Sequence, residues 1–263
     1  MPAWLSCAPW TLPCLVMMTG SFTEQDEEAP GRLAEGTRVY AIGDVHGCDS
    51  RLAALHRLVA DDLARWPIEY PQLVHLGDYI DRGPDSAGVV ARLAAGPPVP
   101  GVPTVNLRGN HEQMMLDCLA NPDATAQWLA NNGADTLAEW GIPAGAHPRS
   151  WTERIPLKVL SFLAGLQLMH VVDGYVFVHA GLRPGVALAR QAPGDLMWIR
   201  GGFLDWPGQL VPDTPALVAV HGHTPRPAPD VRRNRIGIDT GAVRGGALTC
   251  IVLEGTRLRY LTA

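Results

Sequence analysis

The chain has 263 residues, 47% of them apolar, which suffices to bury one core of ordinary size. Its formal charge of −5 comes without a long basic block and excludes an extended phosphate-neutralising surface for nucleic acid. Five scattered cysteines (Cys7, Cys14, Cys48, Cys118, Cys250) form no CxxC pair, which excludes a disulfide framework and a thiolate zinc site and points to a reducing, cytoplasmic setting.

Residues 1–36 differ in composition from the rest, with an apolar run broken by prolines and then an acidic stretch. No basic residue precedes that run, and it is too short to cross a bilayer, so it reads as a loose extension rather than a signal peptide or membrane span. One domain, residues 37–263, is expected to follow. Residues 39–43 read as a buried strand ending in GDVHG, and residues 49–66 as an amphipathic helix stopped by Pro67. A second strand, 72–76, runs into GDYIDRG and a helix over 86–95. A third, 104–107, runs into RGNHE and another helix.

The middle, about residues 121–156, reads as short helices at 125–131 and 135–140 that offer substrate contacts. After a helix over 157–166 the pattern turns β-rich, with strands at 167–171, 175–178, 216–220, 235–238, 247–253 and 257–261. The expected architecture is α/β (α+β), with two mixed sheets between helical layers.

Polar residues gather where the strands end: Asp44 and His46, Asp78 and Asp81, Asn110 and His111, His179, and His223, all in glycine-rich turns. Singly, each reads as a turn or helix cap. Together, carboxylate, imidazole and amide oxygen suit first-row divalent ions such as Mn²⁺, Fe²⁺ or Zn²⁺. A pair of such ions about 3.5–4 Å apart clamps a phosphoryl group and holds a bridging hydroxide as nucleophile. Asp78 is the natural bridging carboxylate.

GDVHG, GDYIDRG, RGNHEQMM, VHAG and HGHTP, in that order, resemble the metallophosphoesterases of the phosphoprotein phosphatase superfamily, nearest to the bacterial and phage serine/threonine phosphatases. The resemblance runs from about Thr37 to the C-terminus. It implies a calcineurin-like phosphoesterase fold and a dinuclear centre, with Mn²⁺ as the first choice and Fe or Zn as alternatives. The implied ligands are Asp44 and His46 for one ion, Asp78 bridging, and Asn110, His179 and His223 for the other. It further implies His111 as general acid, Asp81 as its orienting carboxylate, and Arg82, Arg108 and Arg200 as phosphate binders. The implied substrate is a phosphorylated protein or peptide.

Two other readings stand beside it. A symmetrical diadenosine tetraphosphate hydrolase shares GDVHG, GNH and a DTG segment, but Asp81, Glu112 and Thr224 follow the protein-phosphatase pattern. An inactive phosphoprotein-binding module would have lost ligands, and none is missing. His221 reads as structural, as do His56, His75, His147 and His170. Cys48 reads as a small filler, and Arg226, Arg232, Arg233 and Arg235 as a solvated loop face. The role of residues 238–242 stays open.

Overall fold

The computed structural model describes residues 21–22 and 26–263. Two short strands, β1 (Ser21–Phe22) and β2 (Glu27–Glu28), precede β3 (Thr37–Ile42), whose six residues are all buried. Successive side chains of a strand point to opposite faces, so β3 serves two cores at once. Val39 and Ala41 join one apolar cluster, and Tyr40 and Ile42 another.

Helix α1 (Asp49–Arg65) turns Leu52, Leu55 and Val59 inward at helical spacing and ends just before Pro67. Then come β4 (Tyr70–His75), α2 (Ser86–Ala94), β5 (Thr104–Asn106) and α3 (Asn110–Ala120). The middle of the chain holds α4 (Thr125–Leu129) and α5 (Gly133–Glu139), and α6 (Leu157–Ala164) follows. The remaining elements are β6 (Met169–Val172), β7 (Tyr175–Val178), α7 (Pro193–Trp198), α8 (Gly201–Leu204), β8 (Val218–His221), β9 (Asp230–Arg232), β10 (Arg235–Gly237), β11 (Thr249–Glu254) and β12 (Arg257–Thr262).

One sheet has the order β1-β12-β11-β3-β4-β5, with β2 also on β12; the other has the order β6-β7-β8-β10-β9. Both are mixed, as expected. Strands β3, β4 and β5 are parallel, as are β7, β8 and β10, while β11 runs against β3 and β6 against β7. Val39, Val74 and Leu253 meet Phe177, Val220 and Ile236 between the sheets. Helices α1, α2, α3 and α6 cover the outside of the first sheet, and α7 and α8 that of the second. Both sets of parallel strands end at one edge, where open α/β sheets place their ligands.

The stretch before Thr37 needs correction. Residues 1–20 and 23–25 lie outside the described residues, but Ala29 and Leu33 are buried between the sheets, and β2 pairs with β12. The Tyr175 hydroxyl accepts from the Gly31 N–H, and the Asp173 carboxylate from the Ala34 N–H. Sequence composition hid this because one leucine and one alanine among polar neighbours carry no periodicity. The Leu33→Ala variant is expected to lose about 2–4 kcal/mol of stability, as for a core truncation, and a chain shortened to begin at Thr37 should lose at least as much. Urea denaturation measures both, and an unchanged midpoint would contradict this placement.

Candidate metal centre

The site is built from strand ends. The turn after β3 carries Asp44 and His46, that after β4 Asp78, Asp81 and Arg82, and that after β5 Arg108, with Asn110 and His111 opening α3. From the second sheet, β7 delivers His179 and β8 delivers His223. The backbone there is strained: of seven non-glycine residues with positive φ among those described, five are His46, Asp78, Asp81, Arg82 and His223. Such conformations persist only where the surroundings impose them, and they concentrate at functional sites. Close approach also demands glycine: a Cβ on Gly109 would meet the Asp78 carboxylate, and one on Gly222 the Asp44 carboxylate.

Hydrogen bonds fix where the imidazole lone pairs point. His46 gives its Nδ1 proton to the Ile80 carbonyl at 2.8 Å, and His179 gives its own to the Leu76 carbonyl at 3.0 Å. Each ring therefore keeps its Nε2 lone pair for the interior. His179 Nε2 lies 3.0 Å from Asn110 Oδ1, 3.2 Å from His223 Nδ1 and 3.3 Å from Asp78 Oδ1. His46 Nε2 lies 3.3 Å from Asp78 Oδ2 and accepts from Arg82 at 2.7 Å. Asp78 thus stands between the two imidazole groups. One ligand atom from each of His46, Asp78 and His111, and one from each of Asp78, His179 and His223, fall within 4.8 Å of one another.

Electrostatics agree with a cation site. Burial, then the carboxylates of Asp239 and Asp78, push Asp44 well above the usual carboxylate range. Against its burial, His179, His111 and His46 hold Asp78 well below that range. Burial and the neighbouring His179 press His223 down to about 2, so this ring is a neutral donor of electron pairs. Lone pairs and carboxylates that converge without enough protons to share are what a divalent ion satisfies. The donor set of carboxylate, imidazole and amide oxygen fits two such ions.

His111 is placed differently. Its Nδ1 meets Asp81 Oδ2 at 2.6 Å, while its Nε2 is buried and has no hydrogen-bond partner. Asp81 is fully buried, and its carboxylate also accepts from the Trp128 indole at 2.7 Å and the Thr136 hydroxyl at 2.6 Å. Helices α4 and α5, expected to offer substrate contacts, instead supply these two supports.

Arg82 touches His46, and Arg200, exposed before α8, lies near enough for its charge to lower His223 further. Arg108 does not join them. Its guanidinium donates to Gln113 and to the carbonyls of Ala164 and Leu166, where it caps the end of α6. In this arrangement Arg108 caps α6 while its buried Nε has no hydrogen-bond partner, and the phosphate-binding role stays an expectation. His221 stays out of the cluster: it packs edge-on against Phe203. His56 and His75 form a buried pair with Nε2 atoms 2.9 Å apart.

Sequence reasoning noticed Glu112 but gave it no place in the site. Its carboxylate accepts four backbone N–H bonds, from Asp78, Tyr79, Ile80 and Gly109, and so ties the turn after β4 to the turn after β5. The signal available was the capping-box spacing at the start of α3. Asp239, in the stretch whose role stood open, lies buried beside Asp44.

This edge of two mixed sheets, with its paired donor groups, defines a metallophosphoesterase. The calcineurin-like phosphoesterase family matches residues 37–246, and the chain belongs to it. It is 33% identical to serine/threonine-protein phosphatase 1 of Salmonella typhimurium, over 80% of this chain and 89% of that one. It is 32% identical to the symmetrical bis(5'-nucleosyl)-tetraphosphatase of Paracidovorax citrulli, over 56% of this chain and 45% of that one. A crystal structure of a putative diadenosine tetraphosphatase shares the fold with a TM-score of 0.60 at 22% identity, covering 86% of this chain and 93% of that one.

Adding Mn²⁺ or Zn²⁺ to metal-stripped protein is expected to raise Tm by several degrees, by linkage. In Asp44→Asn the stripped protein should be more stable than wild type, since one of three mutually repelling carboxylates is gone, and its response to metal should shrink. Calorimetry checks both, and an Asp44→Asn protein that keeps the full metal response would refute the ligand assignment.

Proposed function

We propose that this protein is a phosphoprotein phosphatase that hydrolyses phosphoserine and phosphothreonine. The observation that carries this reading is the buried His111–Asp81 pair next to the candidate metal ligands, with the free Nε2 of His111 as an acid for a poor alkoxide leaving group. The Salmonella relative supports it by name and by coverage of both chains. Among the described residues Cys48, Cys118 and Cys250 are free thiols, which supports a cytoplasmic setting, and no helix is long and apolar enough to cross a membrane.

Asp44, His46, Asp78, Asn110, His179 and His223 are the residues that would hold two divalent ions, with Mn²⁺ the first choice. When bound, such ions polarise the phosphoryl group and lower the pKa of water to make a nucleophile at neutral pH. Arg82 and Arg200 grip the phosphoryl oxygens and meet the charge that grows in the transition state. Asp81 accepts the Nδ1 proton of His111 and so fixes the ring with Nε2 toward the leaving oxygen. As the bond from phosphorus to the serine or threonine oxygen breaks and one to water oxygen forms, the Nε2 proton passes to the departing alkoxide. No phosphoenzyme forms, because Cys48, whose thiol burial raises, and Ser86, bonded to Thr136 and Asp81, are not placed as nucleophiles.

Hydrolysis of a dinucleoside tetraphosphate is the second reading, favoured by the resemblance to the Paracidovorax enzyme. Both use the same ligands and differ in the leaving group. Turnover of phosphoserine and phosphothreonine peptides by Mn²⁺-loaded protein, measured against diadenosine tetraphosphate, separates them: higher kcat/KM on the peptides is expected, and the reverse order overturns the phosphatase reading. His111→Asn should retain metal binding yet lose about 10²–10⁴-fold in kcat on phosphoserine peptide, with a smaller loss on p-nitrophenyl phosphate. Equal losses on both substrates would contradict the acid role.

A further inference from the structure

Of the four arginines after the HGHTP turn, Arg226, Arg232 and Arg233 are exposed, as expected of a solvated loop face, and Arg235 is buried. Asp230–Arg232 and Arg235–Gly237 pair as an antiparallel hairpin, which lines one side of a cleft of about 650 Å³. The other side runs from Leu204 to Pro207 and includes Trp206, 45% exposed. Arg226, Arg232, Arg233 and Arg235 all line the cleft, against two carboxylates, Asp205 and Asp230.

Arg235 is only 6% exposed, and its Nε has no hydrogen-bond partner. Asp230 is shared, accepting from Arg232 at 2.6 Å and from Arg235 at 3.1 Å. Arg226 and Arg233 make no ion pair among the described residues. Burial lowers the pKa of Arg235, with Asp230 and Asp205 acting against Arg232 and Arg226, and four arginines facing two carboxylates give the cleft a net positive charge. A buried, incompletely satisfied guanidinium beside two unpaired ones is a place for anions.

Both walls lead directly from the metal centre. Arg226 is three residues beyond His223, a span of at most about 10 Å, and its N–H donates to the Asp239 carbonyl at 2.9 Å. Leu204 lies at the end of α8, the helix that begins just after Arg200. Trp206 and the prolines beside the arginines suit a peptide, which carries apolar as well as acidic side chains, better than a polyphosphate.

We propose that this cleft docks acidic residues flanking the phosphorylated residue of a protein substrate, an inference that rests on the phosphatase reading. Trp206 and the prolines Pro207, Pro227 and Pro229 give the peptide an apolar wall, and the arginines select aspartate and glutamate.

The test compares two phosphothreonine peptides, one flanked by Asp and Glu and one by Ala, on Mn²⁺-loaded wild type and on the double variant Arg226→Gln/Arg233→Gln. Both positions are exposed and unpaired, so the variant should fold and hydrolyse p-nitrophenyl phosphate at the wild-type rate. Wild type is expected to prefer the acidic peptide by about five- to tenfold in kcat/KM, mainly through KM, and the variant to lose that preference. An equal rate on both peptides in wild type, or a preference that survives in the variant, overturns the cleft assignment and leaves the phosphatase reading standing. Failure of both peptides while p-nitrophenyl phosphate turns over removes the phosphatase reading and this proposal together. Loss of diadenosine tetraphosphate turnover in the variant, with peptide selectivity intact, makes the cleft a polyphosphate site and overturns the proposal.

Discussion

Three carboxyl groups and three imidazoles share a buried edge. Asp44, Asp78 and Asp239 are each under a tenth exposed, as are His46, His179 and His223. Burial disfavours the charged form of each group, and neighbours of like kind add to it, so Asp44 and Asp239 sit above the carboxylate range and His223 below the imidazole range. A folded protein tolerates such crowding only if the scaffold holds it in place. Two sheets do so here, because their parallel strands end at the same edge and the apolar contact between them leaves the strand ends no freedom to separate.

Glu112 is the internal brace of that edge. Positive φ at Asp78, Asp81 and Arg82 costs on the order of 1–3 kcal/mol for each residue. Four N–H bonds to one buried carboxyl group run the other way, at about 0.5–1.5 kcal/mol each while it is neutral and about 1.5–3 kcal/mol each once it is charged. The two magnitudes are comparable, so the turn carrying Asp78 keeps its strained shape while Glu112 accepts from Asp78, Tyr79 and Ile80. Burial and Asp78 push Glu112 up to about 8, and those same N–H donors pull against that rise. A cation beside Asp78 would remove the repulsion and favour the charged brace.

The strand ends were legible in the sequence because each combines a short β run, a glycine turn and a polar residue within a few positions, a pattern set by local chemistry. Both mixed sheets, and the gathering of Asp44, His46, Asp78, Asn110, His179 and His223, follow from it. What is set by distant contacts was less legible. Arg108 stands in the right motif, yet its guanidinium turns to carbonyls of α6, more than fifty residues away in sequence. Leu33 is buried by strands that come later in the chain. Arg232 and Arg235 look alike in the sequence and stand opposite each other on one face of the hairpin, yet the surrounding chain buries Arg235 and leaves Arg232 exposed.

The middle helices show how the chemistry is divided. The candidate metal ligands come from strand ends, where the sheets fix their spacing, but His111 is held by Asp81, and the Asp81 carboxylate depends on Trp128 from α4 and Thr136 from α5. These donors fix the Asp81 carboxylate in place, and the carboxylate in turn orients the His111 ring through Nδ1. That leaves the orientation of His111 under the control of elements whose hydrogen bonds reach Asp81 and Ser86 and not a candidate metal ligand. A change in α4 or α5 can therefore alter how His111 is held while the candidate metal ligands stay as they are. The placement of His111 and the geometry of those ligands are, in this fold, separable by construction.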